Sequence, residues 1–172
     1  MLDFILKIDS LLIRVLRVMA VSLLCLLFVL LSLNVILRFF PVFSMGWFDE
    51  IVELSFAWIV FATAAVLWRN QHHPKIDLVE ALLEGTRAKY VLLSVIECIN
   101  IFFLSAFTWF AWSLVVKASA ASPVFQIPRK LFYVVMPAAG LYMTVVSVFF
   151  LVMYLTKLFG TPDGRHLPDS GT

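Results

Sequence analysis

The sequence predicts an all-α integral membrane protein with four transmembrane helices, an N-terminal interfacial helix and a short surface helix. Three observations carry that prediction. Of the 172 residues, 63% are apolar, against about 45–50% in soluble domains. Only 14% are charged, too few to cover even one water-soluble core. Four apolar stretches are each long enough to cross a hydrocarbon layer, which takes about 20 helical residues. Soluble enzyme classes are thereby excluded, and residues 1–160 read as a single four-helix membrane domain.

The elements follow in order. Asp3, Lys7, Ser10, Arg14 and Arg17 recur at steps of four and three, forming a polar stripe opposite Phe4, Ile5, Ile8, Leu11 and Leu12. Such a stripe suits a helix lying in the membrane interface. Residues 18–37 are free of charge and form the first span. They exceed a signal-peptide core and no A-x-A-like cleavage site follows, so a retained anchor is expected. The second span, 48–68, opens with Asp49, Glu50 and Glu53. At a helix N-terminus near the headgroups, each acid gains about 0.3–1 kcal/mol from the helix dipole. In the following loop Pro74 can start a helix, Ile76, Val79, Leu82 and Leu83 line one face, and Gly85 supplies a stop. A short cytoplasmic surface helix is expected there. The third span, 90–116, holds one charge, Glu97. The fourth, 131–155, is uncharged between Lys130 and Lys157 and is expected to bend or thin around Pro137 and Gly140. The tail 161–172, TPDGRHLPDSGT, is rich in Pro, Gly and Asp and predicts disorder.

Four spans return both termini to one side. Lys7, Arg14, Arg17, Arg69, Lys75, Arg87, Lys89, Lys157 and Arg165 lie on that side, against Arg38, Lys117, Arg129 and Lys130 opposite. Nine basic residues against four put both termini in the cytoplasm by the positive-inside rule. The acidic start of span two and the loop 117–130 then face outward.

Candidate residues are few. Glu97 is an ionisable side chain inside a span and so a functional hypothesis by default. Ser94 and Asn100 lie one turn away on either side, which equally fits a hydrogen-bonded carboxyl at a helix contact. His72 and His73 are adjacent, near a span end, with no transmembrane histidine to ligate from a second helix, so no haem or metal site is expected. His73 can instead pair with Asp77 four residues on. Trp47, Trp68, Trp109, Trp112, Tyr90, Tyr133 and Tyr154 cluster near span ends, as interfacial belt residues do. Trp58 falls mid-span, facing either lipid or another helix. Ala62, Thr63, Ala64 and Ala65 in span two and Gly140, Thr144 and Ser147 in span four allow close helix approach. Cys25 and Cys98 read as packing residues. No G-x-S-x-G, Walker or H-E-x-x-H pattern is present. No catalytic residue, cofactor site or metal site is expected, and no basic, aromatic-interleaved face suits nucleic acid. The chain reads as a helper that works with a partner.

The stretch GWFDEIVELSFAWIVF, with Trp47, Glu50, Trp58 and Phe61, is followed by RNQHHPKID, with Arg69, His73 and Asp77. The outer loop and start of span four, SPVFQIPRKLFYVVMP, add Pro123, Ile127, Pro128, Tyr133 and Pro137. In order and spacing these resemble the small membrane subunit (DctQ-type) of tripartite ATP-independent periplasmic (TRAP) transporters, over about residues 10–158. Gln71 departs from the pattern, where many relatives carry glycine before the histidine. The resemblance implies a scaffold in the bacterial inner membrane. It would pair with a large multi-span subunit that moves substrate on a sodium gradient and with a periplasmic substrate-binding protein. Substrates of that family are organic acids such as C4-dicarboxylates, sialic acid or sugar acids. On this reading Trp47, Asp49, Glu50, Glu53, Trp58, Arg129 and Lys130 are expected to contact a subunit, the binding protein or lipid headgroups, while His73, Asp77, Pro128 and Pro137 are structural. Two other readings stand beside it. One is a small proton-coupled exporter exchanging at Glu97, and the other is a membrane redox protein using haem or quinone.

Overall fold

The computed structural model describes residues 2–39, 46–70 and 87–159. They form helices α1 (Leu2–Phe39), α2 (Phe48–Arg69), α3 (Arg87–Lys117), α4 (Arg129–Tyr133) and α5 (Val135–Phe159). Four helical stretches are long and apolar enough to cross a membrane: Asp9–Phe39, Phe48–Arg69, Ala88–Lys117 and Arg129–Phe159. The predicted all-α, four-span class is the observed one. His73, Asp77 and the expected surface helix after Pro74 lie outside the described residues, as does the tail 161–172.

The expected N-terminal helix and first span are one continuous helix of 38 residues. No Gly or Pro interrupts Leu2–Phe39, so nothing in the backbone stops propagation. At 1.5 Å per residue α1 is about 57 Å long, well over the thickness of a hydrocarbon core. α2 begins without a side-chain cap at Trp47, carries Asp49 and Glu50 in its first turn and stops at Asn70.

Span four is broken. Proline has no N–H, so Pro137 cannot bond back to the Tyr133 carbonyl. The helix divides at Val134 into α4 and α5, and Pro137 sits in the first turn of α5, where helical N–H groups lack intrahelical acceptors anyway. Gly140 plays no part in that break. A Cβ on it would lie 2.5 Å from Thr108 Oγ1 and 3.0 Å from the Phe107 ring, so its hydrogen permits the close approach of α5 to α3.

The helices stand in an open row. α1 packs chiefly along α2, α2 against α5, and α5 along α3, with no extended contact between α1 and α3 among the described residues. Ala65, Leu104, Ala139 and Met143 form the centre where α2, α3 and α5 meet. Phe61 stacks on Phe107 there, with ring centroids 5.9 Å apart. Small residues let these backbones come close, as membrane packing by dispersion rather than by the hydrophobic effect requires. The open row leaves broad apolar faces uncovered; Phe102, Trp109 and Phe110 of α3 are each more than half exposed. Cys25 and Cys98, expected to pack inside, both lie on exposed faces; mid-span placement alone does not fix which way a helix turns.

Gly140→Ala should destabilise the protein by about 1–3 kcal/mol, the usual cost of forcing an extra methyl into a packed contact. Denaturant titration in micelles measures this, and Thr108→Ala in the same chain should recover part of the loss.

Candidate functional site

Among the described residues the densest polar cluster lies where α2 begins, at the end of the row that carries the 118–128 loop. That loop folds back on itself: Ser122 N donates to the Ile127 carbonyl at 2.9 Å, and Arg129 N to the Ala120 carbonyl at 3.0 Å. Gln126 takes a left-handed conformation, φ 54°, which closes the turn. The tip of such a turn leaves amides without backbone acceptors, and Glu50 supplies them. Its Oε2 accepts from Ser122 Oγ at 2.8 Å and from Phe125 N at 3.0 Å, while Oε1 accepts from Val124 N. Ser122 Oγ in turn accepts from Ile127 N at 3.0 Å. Both Glu50 and Ser122 are buried. The carboxylate is acceptor-only, so it can serve three donors at once.

Around this clamp the chain ties α2 to α4 twice more. Arg129 Nη1 meets both Glu53 oxygens, at 2.9 and 3.3 Å, with its guanidinium 5.6 Å from the Phe132 ring centroid. Trp58 Nε1 donates to the Leu131 carbonyl at 3.1 Å. The helix break lies beside that carbonyl, so mid-span Trp58 faces another helix and serves as a hydrogen-bond donor to its backbone. Trp47 packs against Phe125 with ring centroids 6.1 Å apart. Pro128 is the N-terminal flanking residue of α4. Asp49 and Lys130 are exposed at the rim.

A second cluster joins three helices at the opposite end. Asp9 of α1 accepts from Arg69 Nε at 2.8 Å and from Tyr142 Oη at 2.7 Å. Close by, Trp68 Nε1 donates to Ser147 Oγ at 2.8 Å, linking α2 to α5. Glu97 is not in either cluster. It is buried on α3, and Asn100 Nδ2 donates to it weakly at 3.5 Å, while Ser94 Oγ turns away to the Tyr90 carbonyl. Counted along the helix from Lys117, it lies about 30 Å from the loop end, at the far edge of a hydrocarbon core. Among the described residues no group of three or more His, Cys, Asp or Glu side chains is placed to hold a metal ion.

The structure thus brings together Trp47, Glu50, Glu53, Trp58, Arg129 and Pro128, and keeps Asp49 and Lys130 outside them. Sequence reasoning missed Ser122, Asp9 and Tyr142. Asp9 had one legible signal: it is an acid beside the first apolar run but off the polar stripe of Lys7, Ser10 and Arg14, so it points to a packed side of α1 and needs a partner there.

A family model described as tripartite ATP-independent periplasmic transporters, DctQ component, matches residues 27–157. The chain belongs to the DctQ family. It is therefore the small membrane component of a TRAP transporter and a multi-pass membrane protein, in a family of transporter subunits rather than enzymes. The matched stretch takes in α2, the 118–128 loop, α3, α4 and all but the last two residues of α5, so the Glu50 clamp lies wholly inside the DctQ region, while Asp9 precedes it. No curated protein matches the chain.

Glu50→Gln should release the loop almost as fully as Glu50→Ala. A glutamine keeps one acceptor oxygen and turns an NH2 toward groups that already donate. Chymotrypsin cleavage at Phe125 in nanodisc-embedded protein should speed up several-fold in both variants, and Glu50→Asp, one methylene short, should fall between them and wild type.

Proposed function

We propose that this DctQ component is the scaffold subunit of a sodium-coupled TRAP transporter importing organic acids of the C4-dicarboxylate, sialic acid or sugar-acid type. It works in the bacterial inner membrane with a large multi-span subunit, which carries the sodium and substrate sites, and a periplasmic substrate-binding protein. The observation that carries this reading is the open row of helices, pinned by polar clusters at both ends and bare along its apolar faces. Such a layer supplies breadth and stiffness. The excess of basic residues beside the termini favours a cytoplasmic location for both, with the Glu50 loop facing the periplasm.

Trp47, Asp49 and Lys130 offer aromatic and charged contacts on that outer rim for the soluble binding protein. Glu53 and Arg129 lie at its membrane-facing edge. Glu50 and Trp58 contribute from inside by fixing the loop and α4 in register. Glu97 serves the α3 helix contact rather than ion exchange.

Purification of the tagged chain from its native membranes in mild detergent should bring down one large polytopic protein in near-equal amount. Sodium-driven uptake by the reconstituted assembly should survive Glu97→Gln. Recovery of the chain alone as a self-dimer, with transport abolished by Glu97→Gln, would replace the scaffold with an exporter.

A further inference from the structure

An apolar groove of about 260 Å³ runs down the outside of the row between α2 and the α4–α5 break, walled by Phe56, Ala57, Val60, Phe132 and Met136. Glu53 stands at its mouth. From Glu53 to Val60 is two helical turns, about 10 Å along the membrane normal, so the groove is a slot parallel to lipid chains rather than a round pit. Its walls are of two kinds. Phe132 is fully buried and forms the floor, while Phe56 and Val60 are exposed and open it sideways to the hydrocarbon.

The mouth carries both signs of charge. Glu53 and Arg129 are paired there, with side-chain exposures of 50% and 31%. Only Nη1 of Arg129 meets Glu53, leaving Nε and Nη2 without a described partner, and Lys130 beside it is exposed. A ligand lying in the slot with its head at this level meets guanidinium donors suited to a phosphate, next to a carboxylate suited to an ammonium that can donate hydrogen bonds. An anionic glycerol headgroup satisfies the first and is repelled by the second. A choline headgroup has no N–H to give Glu53.

We propose that this groove binds a phospholipid with a primary-amine headgroup, of the phosphatidylethanolamine type, from the leaflet at the loop end. One acyl chain lies between Ala57 and Met136, the phosphate meets Arg129, and the ammonium meets Glu53. The site is independent of what the assembled transporter carries. It gives the open face between α2 and α5 a fixed filling, and it places a bound headgroup beside the clamped loop.

The test is native mass spectrometry of the full chain in micelles with equal amounts of dioleoyl phosphatidylethanolamine, phosphatidylcholine and phosphatidylglycerol. Wild type should retain phosphatidylethanolamine over the other two by about tenfold, the scale of one charge-assisted hydrogen bond. Glu53→Gln should erase the preference over phosphatidylcholine without abolishing lipid binding. Ala57→Leu and Val60→Phe, which fill the slot with apolar atoms, should abolish retention of all three. Val60 is 42% exposed and takes a larger side chain without crowding the core, so Val60→Phe remains decisive where Ala57→Leu fails to fold. Equal retention of the three lipids by wild type overturns the proposal, and so does undiminished phosphatidylethanolamine in Val60→Phe. Displacement of the lipid by a co-purified membrane protein, with Val60→Phe weakening that association, would make the groove a seat for a partner helix instead.

Discussion

A backbone amide or carbonyl near hydrocarbon has no water to turn to, and each one left unpaired costs several kcal/mol. At the loop end of this chain that constraint is met by α2. The loop 118–128 must reverse direction within a few residues, and its tip cannot satisfy its own amides. Glu50 takes two of them and the Ser122 hydroxyl. The break at Val134 disturbs carbonyls in the first turns of span four, and Trp58 donates to that of Leu131. Both side chains project from one helix, so the position of α2 sets the loop, the loop sets where α4 begins, and α4 sets the wall of the groove.

Between the two polar ends the packing is of another kind. Ala62, Ala65, Ala139, Gly140 and Ser147 are all buried, and together they make a contact surface of small side chains. Backbones that come this close gain many weak dispersion contacts, which is what association in lipid depends on. The same chemistry explains why the row stays open. Among its described side chains α1 contributes only Ile13 and Leu27 to the buried set, and without a stripe of small residues it has no reason to wrap around toward α3. It is fastened at its end instead, by Asp9 to Arg69 and Tyr142.

The spans were legible because hydrocarbon thickness imposes a length on any apolar run, and Pro137 announced a disturbance because a missing N–H is visible in one letter. What the disturbance would become was not legible, since a proline can kink a helix or divide it according to whether a neighbour satisfies the freed carbonyls. Glu50 shows the limit most clearly. Locally it is an acid in the first turn of a helix, and a dipole effect accounts for it fully. Its actual partners lie 72 to 75 residues away, in a loop whose sequence, SPVFQIP, carries no charge to mark it as complementary. Cys25 and Cys98 failed to declare themselves for a simpler reason: position along a span says nothing about rotation around its axis.

The clamp also bears on how the chain can move. A polar contact tolerates sliding when an equivalent partner waits one turn away, as in interfaces that ratchet. Glu50 has no such alternative: its acceptors are matched to one hydroxyl and two adjacent amides at the tip of a single tight turn. Shifting α2 past α4 by a helical turn would strand those donors and break the Glu53–Arg129 and Trp58–Leu131 contacts at the same time. Asp9 imposes the same condition at the other end, since it holds Arg69 and Tyr142 from two different helices with its two oxygens. With both ends keyed, relative motion among α1, α2 and α5 is costly in either direction along the membrane normal, and these three helices move as one piece. On the scaffold role proposed above, a component built this way takes load without changing shape, and the conformational change of transport falls to the large subunit.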